Sequence, residues 1–356
     1  MNNNELIIKK QSSPLRISEH HCSDNTVPFI SISCITYNHE NFIRKAIEGF
    51  LAQKTRFPVE ILIHDDESTD STRSIIKEYA NSYPYLIKTI FQNENQYSKG
   101  KQVHKFNLTK ARGSFIALCH GDDYWLDEYK LEKQVEAMVA YDVGISGHSS
   151  IVVDNDGMKL DRISGTKVDR ITWFSAYSLL RKQGNMLPYS SIMIDWNARN
   201  EILKNMPPVK FHTGIQILAS KRNGLVILPG SKSVYRSGVV GSTTEILLSN
   251  SDKRYITTIE RIDSIKFLKD MYPLRYNTAF NKYLAIQFFK SKSKNLFKRY
   301  RLYKQIITGQ DLKSKSSVLL YIIVKGINHG IKKVFGIKKI IKGLRKKFTL
   351  NKNIVC

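Results

Sequence analysis

The stretch Ser114-Phe115-Ile116-Ala117-Leu118-Cys119-His120-Gly121-Asp122-Asp123-Tyr124-Trp125 decides the fold class of this chain. An apolar run with the length of a buried strand ends there at two adjacent carboxylates. Acids at the carboxyl end of a strand in an α/β sheet can hold a hard divalent cation, and such a cation usually serves a phosphate-bearing ligand. Asp122 and Asp123 therefore make a nucleotide-dependent enzyme the first hypothesis. The same two residues could instead cap a helix that the apolar spacing predicts from about Asp127 onward.

Two upstream stretches repeat the order of strand, polar turn and helix. Residues 29–35 have the pattern of a strand and lead into the turn Thr36-Tyr37-Asn38-His39-Glu40, and the apolar run at 59–63 leads into His64-Asp65-Asp66-Glu67. Apolar residues at helical spacing follow each turn. The repetition predicts an α/β fold with a mostly parallel sheet flanked by helices, and it brings the polar turns to one crevice at the carboxyl edge of the sheet.

Four side chains in these turns could bind a nucleotide together. Tyr37 offers an aromatic face on which a base can stack, and the carboxylate of Asp66 can accept hydrogen bonds from a uracil N–H or a ribose hydroxyl. Asp122 and Asp123 could hold Mg²⁺ or Mn²⁺ against a diphosphate and offset the charge that develops as the diphosphate leaves. The chain contains neither a Gly-x-x-x-x-Gly-Lys-Ser/Thr loop nor a Gly-x-Gly-x-x-Gly turn, which argues against an ATPase and a dinucleotide oxidoreductase.

Residues 27–245 resemble the family 2 glycosyltransferases, which have the GT-A nucleotide-sugar fold. The resemblance rests on five blocks that agree in order and spacing. They are ISCITYNHE at 32–40, IHDDESTD at 63–70, ARGSFIAL at 111–118 followed by GDDYW at 121–125, FHTG at 211–214, and SVYR at 233–236. The last two blocks resemble motifs on the acceptor side of these enzymes.

The resemblance implies transfer of a sugar from a nucleotide diphosphate donor to an acceptor hydroxyl, with inversion at the anomeric carbon. It implies nucleotide-binding roles for Tyr37, Glu40, Asp66 and Asp122. It also implies metal ligation by Asp123, together with Asp122. The cofactor expected on this basis is Mg²⁺ or Mn²⁺, and the donor expected is a UDP-sugar.

The chain departs from the family pattern at two positions. His120 takes the place of the outer acid of an Asp-x-Asp triplet, which is tolerable because a histidine can lie near a divalent ion. Ile215 occupies the position where many relatives have an aspartate that acts as general base. An isoleucine cannot accept a proton, so the catalytic base is unknown, although such a base typically contributes only about 10²- to 10⁴-fold. Other acids on the acceptor side are candidates by location only: Asp169, Asp195 and Glu245.

Four further polar residues near the predicted crevice have ordinary structural explanations. His39 and His64 flank the crevice, but they are equally well explained as cap and turn residues. Lys99 and Lys101 could reach a diphosphate from a loop, although a solvated loop is favoured.

Positive charge is concentrated in the last part of the sequence. The formal net charge is +25, and residues 282–356 contain 20 lysines and arginines against one acid, Asp311. Apolar residues recur at helical spacing among the lysines of residues 327–348, which predicts a basic amphipathic helix on an anionic membrane surface. A helix that packs on the catalytic domain with solvated lysines is the alternative. Nucleic acid is a less favoured partner because few aromatic residues lie in this stretch.

The sequence divides into an irregular segment 1–26, a glycosyltransferase domain 27–247, a helical connector 248–311 and a basic tail 312–356. The apolar run at 318–324 is too short to span a bilayer. The four cysteines form no Cys-x-x-Cys pair and the first residues do not resemble a secretory signal, so we expect a cytoplasmic protein at the inner face of the plasma membrane.

The activity expected from the sequence is glycosyl transfer to a lipid-linked or cell-surface glycan in cell-envelope polysaccharide biosynthesis. The main alternative is a donor-binding scaffold protein of the same fold that has lost catalysis with Ile215. A nucleic-acid-binding protein is a more remote alternative.

Overall fold

The computed structural model describes residues 13–322 apart from 21, 22, 24, 184, 185, 208–212, 240, 241, 291–295, 309, 311–313 and 320. The chain divides into two units, residues 1–246 and residues 247–356. The predicted crevice lies in the first unit. The amphipathic helix that the sequence predicts at 327–348 lies outside the described residues.

The strands of the first unit occur throughout its described length. In chain order they are β1 (Leu15–Arg16), β2 (Ile30–Thr36), β3 (Lys54–Thr55), β4 (Val59–Asp65), β5 (Ile87–Phe91), β6 (Phe115–His120), β7 (Tyr124–Trp125), β8 (Ile145–Val153), β9 (Lys159–Ser164), β10 (Thr172–Phe174), β11 (Met193–Asp195) and β12 (Leu225–Arg236). β1 and β3 form a small two-stranded sheet, and the others form one large sheet.

The helices lie between these strands or, in one case, after the last of them. They are α1 (Ile43–Leu51), α2 (Thr72–Ser82), α3 (His104–Lys110), α4 (Lys130–Tyr141), α5 (Ala176–Arg181), α6 (Trp196–Asn205), α7 (Thr213–Ala219) and α8 (Thr243–Ser249). Short 3₁₀ turns occur at Ile17–Glu19 and Tyr189–Ser191.

Strands β6, β2, β4 and β5 lie side by side in that order and run parallel. Every residue of β2 and β4 is buried. Strands covered on both faces read as near-continuous apolar runs, which is why these two were recognisable in the sequence. Cys34 of β2 and Cys119 of β6 are buried free thiols that face each other across the strand pair. The carboxyl ends of all four strands meet at one edge.

Beyond β6 the sheet is mixed, and this part was not predicted. β11 is inserted antiparallel between β6 and β8, and β12 runs parallel to β8. Shorter strands pair antiparallel with these, β7 and β10 with β12 and β9 with β8. The full order is β10-β12-β8-β11-β6-β2-β4-β5.

Helix α1 packs one apolar face on the sheet and fixes β7, the strand that follows the turn at residues 120–123, which we call the acidic turn. Ile43, Ile47 and Phe50 are fully buried at helical spacing, and the ring of Phe50 meets that of Trp125 edge-on at 4.7 Å between centroids. Gly49 permits this approach, because a Cβ at that position would lie only 3.2 Å from the backbone N and O of Trp125. Burying Phe50 contributes about 2–3 kcal/mol.

Most described residues of the second unit lie in helices. These helices are α9 (Ser251–Asp270), α10 (Asn277–Lys290) and α11 (Leu296–Ile307), and Pro273 lies just before the 3₁₀ turn Leu274–Tyr276. Within the described part of the chain, no helix has the length and apolar character needed to cross a membrane. The boundaries of the predicted connector and tail stay predictions.

Candidate functional site

The turn after β6 brings His120, Asp122 and Asp123 together. One possible ligand atom from each of the three side chains lies within 4.8 Å of the other two. The strand β7 separates this turn from helix α4, and at the start of that helix Asp127 accepts the hydrogen bond from the N–H of Tyr129, at 2.9 Å. The structure therefore excludes the helix-cap explanation for Asp122 and Asp123.

The carboxylate of Asp123 is buried and held by two hydrogen bonds. The Ser190 hydroxyl donates to Oδ2, and the backbone N–H of Arg236 donates to Oδ1 at 2.9 Å. Burial, and then the charge of Asp122, raise the pKa of Asp123 well above its usual range, although both hydrogen bonds act in the opposite direction. Two neighbouring carboxylates in a poorly hydrated site are stabilised by a proton or by a cation.

The three side chains of this turn fit a divalent cation. Carboxylate oxygens are the ligands that Mg²⁺ and Mn²⁺ prefer, and an imidazole nitrogen also ligates Mn²⁺ and the later transition metals. Asp122 and His120 are only half-buried, so a cation could retain water or a ligand oxygen on that side.

The 3₁₀ turn Tyr189–Ser191 supports His120 from one side. The rings of Tyr189 and His120 are stacked, with centroids 4.0 Å apart and planes 12° from parallel. The phenol oxygen of Tyr189 lies 2.8 Å from Nδ1 of His104, within hydrogen-bond distance. Burial raises the pKa of Tyr189 well above its usual range, so the phenol stays protonated and can donate to that nitrogen.

The same 3₁₀ turn is bonded to both sides of the acidic turn. Besides the bond from Ser190 to Asp123, the carbonyl of Ser190 accepts the indole N–H of Trp125 at 2.8 Å. Sequence reasoning missed these contacts because Pro188-Tyr189-Ser190-Ser191 carries only the signature of a turn. No local pattern connects it to acids so far upstream.

Arg236 ties the end of β12 to the acidic turn. Its Nε donates to the carbonyl of Asp122 at 3.2 Å, and its Nη1 donates to the carbonyls of Asp154 and Asn155 at 3.1 and 2.9 Å. The guanidinium also lies over the ring of Phe42, 4.4 Å from the centroid. The residue that resembles an acceptor-side motif in the sequence thus shapes the acidic turn.

The turns after β2 and β4 are hydrogen-bonded side by side. The N–H of Asn38 donates to the Ser68 hydroxyl at 2.9 Å, and the N–H of Thr69 donates back to the Asn38 side chain at 2.8 Å. The carboxylate of Glu40 accepts the N–H of Ser71 at 2.9 Å, just before α2. The structure therefore gives Glu40 a capping role, and its predicted contact with a nucleotide stays a prediction.

Asp66 is buried between these turns and the next segment of chain. Its two carboxylate oxygens accept the N–H groups of Gln96 and Tyr97 at 2.8 and 2.9 Å. Each oxygen keeps a second lone pair for a base or ribose. Tyr37, on the neighbouring turn, exposes 44% of its surface, as stacking on a base requires.

The two histidines near the crevice differ in their surroundings. Nε2 of His39 lies 3.9 Å from Oδ2 of Asp122, and its Nδ1 lies 3.0 Å from the Thr36 hydroxyl. His64 is instead buried and stacked on Phe106, with centroids 5.0 Å apart, and this burial lowers its pKa. His39 therefore borders the acidic turn, whereas His64 is a neutral core residue.

Lys99 and Lys101 are exposed, and Lys99 pairs with Glu94. This agrees with the solvated loop that the sequence favours.

Ile215 is fully buried in α7, so the residue at the family's base position packs in the interior. The next residue, Gln216, bonds to both backbone groups of Leu187, with its Nε2 donating at 3.0 Å and its Oε1 accepting at 3.3 Å. Leu187 lies three residues before Ser190, so α7 is connected to the acidic turn. Residues 211 and 212 of the FHTG block lie outside the described residues.

Among the acids considered as replacement bases, Asp195 lies away from the acidic turn. Asp195 caps α6 by accepting the N–H of Ala198 at 2.7 Å, and it lies beside Phe115, at the opposite end of β6 from Asp123. Asp195 is therefore wrong as a candidate base. Asp169 is exposed, and Glu245 is in the first turn of α8.

The turns after β2, β4 and β6 fall within residues 31–195, which match the family model "Glycosyl transferase family 2". This part of the chain belongs to glycosyl transferase family 2. An uncharacterized protein of Mycobacterium tuberculosis is 35% identical to the chain over 214 residues, which cover 58% of this chain and 58% of the relative. The chain thus matches less than two thirds of the length of that relative.

Two proteins named as glycosyltransferases are similar to this chain over part of its length. WfgD of Escherichia coli, a UDP-Glc:α-D-GlcNAc-diphosphoundecaprenol β-1,3-glucosyltransferase, is 31% identical over 130 residues, covering 36% of this chain and 48% of WfgD. The mannosyltransferase PcManGT of Pyrobaculum calidifontis, solved with GDP-Man and Mn²⁺, is 13% identical, with a TM-score of 0.50 over 92% of this chain and 87% of PcManGT. At this identity the likeness to PcManGT shows the fold alone. It agrees with the GT-A fold that the sequence predicts.

Proposed function

We propose that this protein transfers a sugar from a nucleotide diphosphate donor to an acceptor hydroxyl, with a divalent cation held by Asp122 and Asp123. The observation that carries the proposal is the meeting of three polar turns at one sheet edge of a family 2 glycosyltransferase domain. The turns follow β2, β4 and β6, which are neighbouring parallel strands, so the carboxyl ends of these strands lie side by side.

Each turn supplies a different part of the donor site. Tyr37 stacks on the base, and Asp66 accepts a hydrogen bond from the base or the ribose through a lone pair that Gln96 and Tyr97 leave open. Asp122 and Asp123 hold Mg²⁺ or Mn²⁺. When bound, the cation supplies positive charge to the diphosphate as it leaves. Ser190 and the backbone of Arg236 keep the Asp123 carboxylate oriented.

A UDP-sugar donor and a lipid-linked or cell-surface glycan acceptor are the substrates that we propose. WfgD, by its name, uses UDP-Glc and a diphosphoundecaprenol-linked sugar. PcManGT was solved with GDP-Man and Mn²⁺, so GDP-sugars are the donors to test beside UDP-sugars. We further propose inversion at the anomeric carbon, and attachment to the inner face of an anionic membrane through residues 312–356, which contain many lysines.

A second function is favoured by one observation, the complete burial of Ile215. A protein that binds the donor but lacks a general base would serve as a scaffold or regulatory partner. The two functions share the donor site and differ only in turnover.

Turnover can be tested with purified full-length protein, Mn²⁺ and a panel of UDP- and GDP-sugars. Vesicles that contain GlcNAc-diphosphoundecaprenol serve as acceptor, because that is the acceptor in the name of WfgD. We expect acceptor-dependent release of UDP and its loss in Asp122→Asn. Donor binding without release would favour the scaffold function. Absence of both binding and release would contradict both functions.

A further inference from the structure

The acidic turn contains a nitrogen donor as well as two carboxylates. One ring nitrogen of His120 is among the three ligand atoms that lie within 4.8 Å of one another, and the other two are oxygens of Asp122 and Asp123. His39 is also nearby, but its Nε2 is 3.9 Å from Asp122 and its Nδ1 faces the Thr36 hydroxyl.

The ring of His120 is held by an aromatic stack. Tyr189 lies parallel to it at 4.0 Å, and His104 lies at 6.4 Å between ring centroids. The phenol group of Tyr189 is in turn held at Nδ1 of His104. Groups that fix the ring of a ligating histidine keep its nitrogen directed at the metal and typically change metal affinity 10- to 100-fold.

We infer that His120 is a third protein ligand of the cation and makes this site prefer Mn²⁺ or Co²⁺ to Mg²⁺. The inference rests on the proposed function, since it concerns the cation of the same donor site. An imidazole at this position supplies a neutral nitrogen where an aspartate would supply a charged oxygen.

The preference follows from the chemistry of the two kinds of ligand. Mg²⁺ is a hard ion that prefers oxygen ligands and gives up its bound water reluctantly. A nitrogen ligand therefore adds little to the affinity of the site for Mg²⁺. Affinity for nitrogen ligands rises along the first transition series from Mn²⁺ to Co²⁺ and beyond. Replacing one carboxylate by a neutral ring also removes one negative charge, and Mg²⁺ gains less than Mn²⁺ or Co²⁺ from the nitrogen that takes its place.

Pulsed electron paramagnetic resonance of bound Mn²⁺ tests the inference without an activity assay. The full-length protein is loaded with Mn²⁺ and UDP, and the echo modulation from a directly bound ¹⁴N nucleus is recorded. We expect that modulation in the wild type and in His39→Asn, the matched control, and its loss in His120→Asp. Calorimetric titrations give the dissociation constants of Mg²⁺ and Mn²⁺. The Mg²⁺ constant divided by the Mn²⁺ constant should be lower in His120→Asp than in the wild type by about tenfold or more.

The outcomes separate this inference from the proposed function. Mn²⁺-dependent binding of UDP without nitrogen modulation in the wild type would overturn the inference and leave the donor site intact. Modulation that is lost in His39→Asn and kept in His120→Asp would assign the nitrogen to His39 and also overturn it. Failure of Mn²⁺ to promote UDP binding would overturn both the inference and the proposed function. Absence of nitrogen modulation in the wild type overturns the inference even if a variant fails to fold.

Discussion

The hydroxyl of Ser190 donates a hydrogen bond to Oδ2 of Asp123, across 67 positions of sequence. Both residues are buried, so the bond fixes one rotamer of the carboxylate. The adjacent Tyr189 stacks on His120, and the same short turn therefore positions two of the three side chains in the acidic turn.

Replacing Ser190 should weaken cation binding. Ser190→Ala removes a hydrogen bond that stabilises the charged carboxylate, so we expect Mn²⁺ affinity to fall about tenfold. Ser191→Ala is the matched control, since its buried hydroxyl bonds to the carbonyl of Pro188 at 2.8 Å and not to the site. Calorimetric titration with Mn²⁺ measures both. Equal affinities of the two variants would contradict a role for Ser190 in orienting Asp123.

Asp66→Asn should reduce both stability and nucleotide affinity. An amide has one acceptor oxygen, so one of the N–H groups of Gln96 and Tyr97 loses its partner, at a cost of about 1–3 kcal/mol in the free energy of unfolding. Loss of the charged acceptor should also weaken UDP binding about tenfold.

Asp65→Asn is the control for this prediction. Asp65 is also buried, but its carboxylate bonds to Ser68 and Arg73. This variant should lose stability in urea titrations and keep its UDP affinity. If Asp66→Asn behaved in the same way, Asp66 would be only a structural residue.

Lys130 should make stability depend on pH in the alkaline range. It is fully buried in α4, with Nζ donating to Gln134 at 2.7 Å and lying 4.0 Å from the Trp125 ring centroid. Burial lowers the pKa of Lys130 from 10.5 to about 7. Between these two values the unfolded chain binds a proton that the folded protein does not, so the contribution of Lys130 to stability rises with pH.

The variant Lys130→Met removes this dependence. From pH 7 to pH 9, the free energy of unfolding of the wild type should rise relative to that of the variant by about 2–3 kcal/mol. Below pH 7 the lysine is protonated in both states and the difference should level off. Urea titrations at a series of pH values measure this, and a difference that stays constant across pH 6 to 9 would contradict it.

Restoring an acid at position 215 should increase turnover at the expense of stability. A positioned base contributes about 10²- to 10⁴-fold, so we expect Ile215→Asp to transfer sugar at least about tenfold faster than Ile215→Asn. Both variants bury a polar group in place of a fully buried isoleucine and should lose about 2–5 kcal/mol of stability. Equal rates at matched folded fractions would mean that another group takes the proton.

The strands that could be predicted are those whose own residues form a recognisable pattern. β2, β4 and β6 read as apolar runs because they are buried on both faces, and the helices that follow them read through their apolar spacing. The three-residue strand β11 is too short to carry such a pattern. Its place beside β6 follows from pairing with partners far away in the chain.

The residues of the candidate site differ in the same way, since local sequence predicts some of them and not others. Asp122, Asp123 and Asp66 were identified because each follows a recognisable strand. Ser190 was not identified, and Arg236 was noted only as part of an acceptor-side motif, because their contacts with the acidic turn depend on the order and direction of β11 and β12 in the sheet. Asp195 was a wrong candidate because β11 runs antiparallel to β6. This direction places Asp195 beside Phe115, at the end of β6 that is remote from the acidic turn.

Calorimetric titration of the full-length protein with UDP and with GDP, each with and without Mn²⁺, tests the donor site most directly. Asp123→Asn is the control, because it removes the charge and retains the size of the buried side chain. We expect UDP to bind with a micromolar dissociation constant only when Mn²⁺ is present, and this binding to be lost in Asp123→Asn. If neither nucleotide binds in a metal-dependent manner, the acidic turn is not a donor site and the proposed transferase activity is contradicted.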